Sequence, residues 1–193
     1  MITHSMDIAV LEFFQGLDNP VLDAVMAAFT KLGDHGLIWI SICLVLMVYK
    51  PTRLWGIMAG VSLAMTFFID EFLLKSIFLR ERPFIAVPGV ELIVDPPSGF
   101  SFPSGHSATA FSVAACLLFC SRIKLPLRVL AVMFAAAVAF SRVYLSVHYL
   151  TDVVCGSLVG IICGTFFGLV ALHLQHHPPD GAKAPQAPTA ALP

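Results

Sequence analysis

The stretch DVVCGSLVGIICGTFFGLVALHL, residues 152–174, decides the fold class of this chain. After Asp152 it carries no Asp, Glu, Lys or Arg, and it exceeds the roughly 20 residues with which a helix crosses a hydrocarbon core of about 30 Å. Small residues recur at every fourth position, at Gly156, Gly160, Gly164 and Gly168. This spacing lets membrane helices approach closely, so the stretch predicts a membrane helix packed tightly against a neighbour.

The composition of the whole chain agrees with this prediction. Of its 193 residues 58% are hydrophobic and only 12% are charged, and the mean hydropathy is +0.89. These values lie outside the range of soluble domains and predict an integral membrane protein. The net charge of −1, with basic residues scattered along the chain, argues against nucleic acid as a partner.

Four further segments complete the predicted bundle. Apolar runs at about 54–79, 105–121 and 126–147 are read as membrane spans. A shorter run, Leu37 to Tyr49, reaches spanning length if its helix begins near Gly33. The fold class is therefore all-α, a polytopic transmembrane helix bundle with five spans plus N-terminal interfacial helices, and six spans are possible.

The chain is expected to divide into three parts. Residues 1–32 contain amphipathic segments interrupted by acidic residues, which predicts helices lying in the membrane interface. Residues 33–175 form the transmembrane domain. Residues 176–193 are rich in Pro and Ala, which is typical of a disordered tail.

Positive charge predicts the orientation. If the spans alternate, the connections near 50–53 and 122–128 share a face with the C-terminus, and they contain five basic residues and no acidic one. That face is expected to be cytoplasmic, so polar residues at the opposite helix ends face the outside of the plasma membrane.

Two helices could pack against the glycine stripe of 152–174. Ala131, Ala135 and Ala139 form a similar stripe in the preceding span, which predicts a tight hairpin of these two helices. The alternative is a homodimer contact through Gly156, Gly160, Gly164 and Gly168.

Cations and a helix start are expected at the outer helix ends. Lys75 and Arg82 are seven residues apart, so they project from one side if their helix continues to Pro83. Ser104 is placed to cap the next span, so free N–H groups beside Gly105 would attract an anion. His106 would then stand in the first turn of that span as a proton donor.

The third polar segment surrounds His148. Arg142 and His148 are six residues apart, so we expect the helix to end between them and His148 to lie in the turn. Thr151 can cap the last span, and Asp152 can hold one ring nitrogen of His148 and leave the other free. Three segments bearing cations or histidines predict a phosphate-binding site where they converge.

These residues resemble three motifs of the type 2 phosphatidic acid phosphatase superfamily. The matching segments are Lys75-x6-Arg82-Pro83, Pro103-Ser-Gly-His106 and Ser141-Arg142-x5-His148-x3-Asp152. The resemblance implies hydrolysis of lipid phosphates or diphosphates through a phosphohistidine, without a metal or other cofactor. Known bacterial membrane members usually have six spans.

The resemblance also implies roles for the matching residues. His148 would attack phosphorus, with Asp152 orienting it, and His106 would act as acid and then as base. The equatorial phosphate oxygens would be bound by five groups: Lys75, Arg82, the Ser104 hydroxyl, the Gly105 N–H and Arg142.

The substrate is expected to be a lipid phosphate held at the membrane interface. Undecaprenyl diphosphate is favoured because Arg80 could meet a second phosphate, and phosphatidylglycerophosphate or phosphatidate is the alternative. A non-catalytic lipid-phosphate-binding or transport protein is the alternative from another class, and it would not need both His106 and His148.

Overall fold

The computed structural model of the protein describes residues 5–17 and 19–177, and the regular structure of these residues is entirely helical. This confirms the all-α fold class. Most of the predicted C-terminal tail, residues 178–193, lies outside the described residues, as do residues 1–4 and 18.

Three helices form the N-terminal part: α1 Ser5–Gln15, α2 Pro20–Gly33 and α3 Leu37–Val48. The side chain of Asn19 caps α2 by accepting a hydrogen bond from the Leu22 N–H at 3.1 Å. A 3₁₀ turn joins α2 to α3, and His35 and Gly36 adopt left-handed φ angles of 54° and 65° in it.

The run Pro20–Val48 is long and apolar enough to cross a membrane. It starts well before Gly33, the predicted beginning of this span. Helix α2 also packs against the later helix that carries Tyr144, whose hydroxyl donates to Asp23 at 2.6 Å. The interfacial position of residues 1–32 stays a prediction.

The next helical run contains the predicted cation pair. Helix α4, Arg53–Phe68, continues through a π-helical segment, Ile69–Leu74, into α5, Lys75–Phe78. Leu79 then adopts a left-handed φ of 45°, and extended chain leads to the short helix α6, Pro83–Ala86. The expectation of one helix from Lys75 to Arg82 is therefore wrong, because the chain turns at Leu79 and Pro83 begins a helix instead of ending one.

Three helices complete the fold: α7 Gly105–Leu118, α8 Leu125–Tyr144 and α9 Leu150–His176. Within the described residues, four helical runs are long and apolar enough to cross a membrane. They are Pro20–Val48, Lys50–Ala86, Leu125–Tyr144 and Leu150–His176. Helix α7, with 14 residues, is about 21 Å long and shorter than the predicted span 105–121. The count of five spans stays a prediction.

Helix α7 is the central helix, since it packs against α4, α8 and α9 and most of its residues are buried. The glycine stripe of α9 faces it. A Cβ atom on Gly156 would lie 2.5 Å from the Ser104 carbonyl oxygen, and one on Gly160 would meet the Ala108 carbonyl oxygen. The expected hairpin partner, α8, is thus the wrong helix. Since α7 of the same chain packs on this stripe, the four glycines are not free for a homodimer contact, and dimerisation itself stays a prediction.

Candidate active site

One cavity of about 840 Å³ brings together most of the predicted site residues. Six of the eight line it: Lys75, Arg82, Gly105, His106, Arg142 and His148. They come from α5 and the chain after it, the start of α7, the end of α8 and the following turn. The other two, Ser104 and Asp152, are fully buried beside it.

His148 lies in the turn between α8 and α9, as the sequence predicts. Ser146, two residues earlier, has a left-handed φ of 56°, a strained conformation for a residue with a side chain. The His148 Nε2 atom is 3.1 Å from Arg82 Nη1. Because a guanidinium can only donate, Nε2 must be the acceptor, and the ring proton of the neutral imidazole is on Nδ1.

Burial also keeps this imidazole neutral. The ring is fully enclosed, which lowers the pKa of His148 well below its ordinary value. The Asp152 carboxylate, 3.5 Å from Nδ1, opposes this shift in pKa, and the nearby charges of Arg82 and Arg142 add to it. A neutral imidazole with its lone pair on Nε2 is the nucleophilic form.

Asp152 lies behind His148 and is held by several donors. Its Oδ2 accepts from the Ser101 hydroxyl at 2.5 Å and from the Tyr149 N–H at 2.9 Å, and it is 3.5 Å from His148 Nδ1. Helix α9 begins at Leu150, so Thr151 is inside the helix and does not cap it. The predicted cap is wrong, whereas the place of Asp152 in the first turn is confirmed.

Arg80 binds this carboxylate instead of facing the cavity. Its Nη1 donates to Asp152 Oδ1 at 2.5 Å and to the Thr151 hydroxyl at 2.7 Å, and its Nη2 donates to Asp7 Oδ2 at 2.8 Å. The guanidinium stacks 3.9 Å above the Tyr149 ring centre. Arg80 is therefore occupied by two carboxylates, and the expectation that it meets a second phosphate is wrong.

Two buried guanidinium groups remain beside the cavity. Arg82 donates to the carbonyl oxygens of Gly99 at 2.9 Å and Ser98 at 3.0 Å. Arg142 donates to the Thr30 hydroxyl, and its buried Nε has no hydrogen-bond partner. Within the described residues neither forms an ion pair with a carboxylate. Buried positive charge without an acidic partner fits an anionic ligand.

Lys75 reaches the start of α7. Its Nζ is 2.6 Å from Glu71 Oε2 and 3.4 Å from Asp70 Oδ2. A Cβ atom on Gly105 would lie 3.7 Å from the same Nζ. Ser104 is the N-cap residue of α7, as predicted, but its hydroxyl accepts from the Ser107 hydroxyl at 3.0 Å and makes no capping hydrogen bond to a backbone N–H of the helix.

His106 lies in the first turn of α7, as predicted, and has a partner that the sequence does not predict. Its Nε2 is 2.9 Å from Asp34 Oδ1, in the 3₁₀ turn after α2. Asp34 and Asp7 lie far from the other site residues in the sequence, and no local pattern distinguishes them from ordinary acidic residues of helix ends.

The cavity also has an apolar lining. Ile40 of α3 and Leu63, Ala64 and Phe67 of α4 line it together with the charged groups. In the described part of the chain, no three His, Cys, Asp or Glu side chains are grouped as metal ligands would be. The cavity therefore offers charge for a phosphate and an apolar wall for a hydrocarbon chain.

Comparison with known proteins identifies the family. The family model of the PAP2 superfamily matches residues 55–174. An undecaprenyl-diphosphatase of Sulfolobus acidocaldarius is 32% identical over 139 residues, 72% of this chain and 66% of that protein. A decaprenylphosphoryl-5-phosphoribose phosphatase of Mycobacterium tuberculosis is 32% identical over 160 residues, 82% of this chain and 86% of that protein.

A solved structure agrees with these matches. The transmembrane PAP2 type phosphatidylglycerolphosphate phosphatase from Bacillus subtilis has a TM-score of 0.70 at 28% identity, covering 92% of this chain and 88% of that one. These relatives are phosphatases, so the alternative of a non-catalytic binding or transport protein is set aside. Since the family match covers more than half of the chain, this protein belongs to the PAP2 superfamily and is an integral membrane hydrolase of phosphoester bonds.

Proposed function

We propose that this protein hydrolyses a lipid phosphate or diphosphate without a metal, through a phosphohistidine at His148. The observation that carries the proposal is the state of His148 in the cavity. Its Nε2 carries a lone pair toward Arg82 while Asp152 lies on the Nδ1 side. A ring held in this way has its nucleophilic nitrogen in the cavity where three cations can bind phosphate.

The reaction then has two steps. In the first, His148 Nε2 forms a bond to phosphorus, the bond to the leaving oxygen breaks, and His106 gives that oxygen a proton. In the second, a water molecule attacks phosphorus, His106 takes its proton, and the bond between phosphorus and Nε2 breaks. Asp152 stabilises the positive charge of the His148 ring between the two steps.

The remaining groups bind the phosphoryl oxygens. Arg82 contacts His148 Nε2 in the free enzyme, and we infer that an incoming phosphate oxygen takes over this guanidinium and frees the nitrogen. Arg142 has an unused buried donor, and Lys75 and the Gly105 N–H lie together at the start of α7. Charge arranged in advance around the transferring group supplies most of the catalysis in phosphoryl transfer. The Ser104 hydroxyl is the fifth proposed contact, and it has to turn away from Ser107 to make it.

The substrate class follows from the two sides of the cavity. The apolar wall of α3 and α4 suits a hydrocarbon chain that enters from the membrane. We favour a polyprenyl diphosphate such as undecaprenyl diphosphate, because two of the relatives are named for polyprenyl substrates. Phosphatidylglycerophosphate is the second candidate, supported by the similar Bacillus subtilis structure.

A panel of purified lipid phosphates tests this function. Release of inorganic phosphate should be fastest with the true substrate class, and it should be lost in His148→Ala. Asp23→Asn, on α2 and outside the cavity, is the matched control and should keep its activity. If His148→Ala turns over lipid phosphates at more than a few per cent of the normal rate, the phosphohistidine route is wrong.

We also propose that the site opens on the outer face of the plasma membrane, with the C-terminus in the cytoplasm. In a variant without its natural cysteines, Ile93→Cys on the exposed loop beside the cavity should react with an impermeant maleimide in intact cells. Ala187→Cys should react only after lysis. The reverse pattern would place the site on the cytoplasmic face.

A further inference from the structure

We propose that Asp34 is the positioning residue of the acid–base histidine and holds His106 so that Nδ1 faces the reacting phosphate. This inference rests on the proposed function, because it assigns a partner to the group that moves protons in it. The matched motifs contain His106 but not Asp34. The fold brings Asp34 to the site from a distant part of the sequence.

The geometry places a carboxylate on one defined nitrogen of the ring. Asp34 Oδ1 is 2.9 Å from His106 Nε2, and both residues line the cavity. The side chain of His106 is 23% exposed and that of Asp34 is 44% exposed, so the pair stands at the cavity wall. Within the described residues, the ring makes no second hydrogen bond, and Nδ1 is left for a ligand.

Gly33 allows the Asp34 carboxylate to come close to the His106 ring. A Cβ atom at Gly33 would lie 3.1 Å from His106 Cδ2 and 2.8 Å from Val138 Cγ1. Both distances are shorter than ordinary van der Waals contacts, so a side chain here would push the end of α2 away from the ring. The glycine and the left-handed turn at His35 together bring the Asp34 carboxylate onto His106.

The carboxylate selects the useful tautomer. When the His106 ring is protonated, Nε2–H donates to Asp34 and Nδ1–H is available for the leaving oxygen. After Nδ1 has given up its proton, the neutral ring keeps the Nε2–H tautomer, because Asp34 still accepts from it. The Nδ1 lone pair then takes the proton of the attacking water, and the ring returns to its first state.

This role predicts a dependence on the leaving group. A general acid matters most when the leaving oxygen is a poor leaving group, such as the alkoxide of a lipid phosphomonoester. It matters little for 4-nitrophenyl phosphate, whose phenolate leaves without a proton. A residue that only supports the fold would affect both substrates equally.

The experiment compares kcat/KM for these two substrates, since this ratio covers the steps up to departure of the leaving group. Asp34→Ala should lower kcat/KM for the lipid phosphomonoester on the order of 100-fold and that for 4-nitrophenyl phosphate less than about threefold. Asp34→Asn, which still accepts from Nε2–H, should lie between Asp34→Ala and the unmodified enzyme. Asp23→Asn, which changes a carboxylate of α2 outside the cavity, should leave both values unchanged.

The quotient of the two kcat/KM values does not depend on the fraction of folded enzyme. It can therefore be interpreted even when a variant folds poorly. An equal fall for both substrates, or no fall for either, would overturn the proposal for Asp34. His148→Ala is measured in parallel with both substrates. Activity remaining in that variant would instead contradict the phosphohistidine function itself.

Discussion

A single methyl group added at Gly156 tests how closely the fold controls the site. Gly156 packs against the Ser104 backbone, and a Cβ atom there would lie 2.5 Å from the Ser104 carbonyl oxygen. Ordinary van der Waals contacts begin near 3.4 Å, so the start of α7 has to move away from α9 by about 0.9 Å. Backbone atoms cannot turn aside as the end of a flexible side chain can.

The displacement falls between the two proposed catalytic histidines. Gly105 and His106 follow Ser104 directly, whereas His148 and Asp152 are tied to the start of α9. The Ser104 N–H also donates to the Asp152 carbonyl oxygen at 3.0 Å, so the two helix starts are coupled. A misplacement of about 1 Å can cost on the order of 100-fold in rate, and overpacking costs about 1–3 kcal/mol of stability.

Gly156→Ala should therefore lower kcat for phosphate release on the order of 100-fold and lower the unfolding temperature in detergent. Gly60→Ala is the matched control, because its Cβ would meet the mobile end of Met47 at 3.1 Å and Cys43 Cβ at an ordinary contact distance of 3.9 Å. The control should keep its activity and its unfolding temperature. If Gly156→Ala leaves kcat unchanged, the close approach of α7 and α9 does not determine the geometry of the active site.

Three further predictions concern the chemistry. His148→Ala should abolish turnover without changing the unfolding temperature, whereas Asp152→Asn should be severely but less completely impaired, as judged by phosphate release. Arg80→Lys should lower kcat about tenfold with little change in KM, because it loosens Asp152; a rise in KM for diphosphates alone would show that Arg80 binds a second phosphate after all. Orthovanadate should inhibit competitively and chelators should leave the rate unchanged, and a requirement for added magnesium in soluble-substrate assays would contradict the metal-independent route.

The sequence predicts the parts of this structure that depend on local patterns. Helix α9 follows from its apolar run, and the turn at His148 follows from its six-residue separation from Arg142. The convergence of Lys75, His106 and His148 follows from the matched motifs. These predictions succeed because apolar length and motif spacing are properties of short segments.

The rest depends on contacts between distant segments. The sequence around Arg80 does not show whether its side chain faces a phosphate or binds Asp7 and Asp152. Only the fold shows that it binds the two carboxylates. The glycine stripe of α9 shows that the helix packs closely but not against which neighbour. Likewise, nothing near Leu79 in the sequence marks the left-handed turn, since it is neither Gly nor Asn.

The most direct test of the phosphohistidine is its detection on His148. His106→Ala should accumulate the intermediate from 4-nitrophenyl phosphate, because the leaving group departs without a proton and the base that activates water is missing. Rapid quenching in alkali, in which phosphohistidine survives, followed by peptide mass spectrometry should place one phosphoryl group on His148. A phosphoryl group on another residue, or the same yield when His148→Ala is added to His106→Ala, would contradict the account.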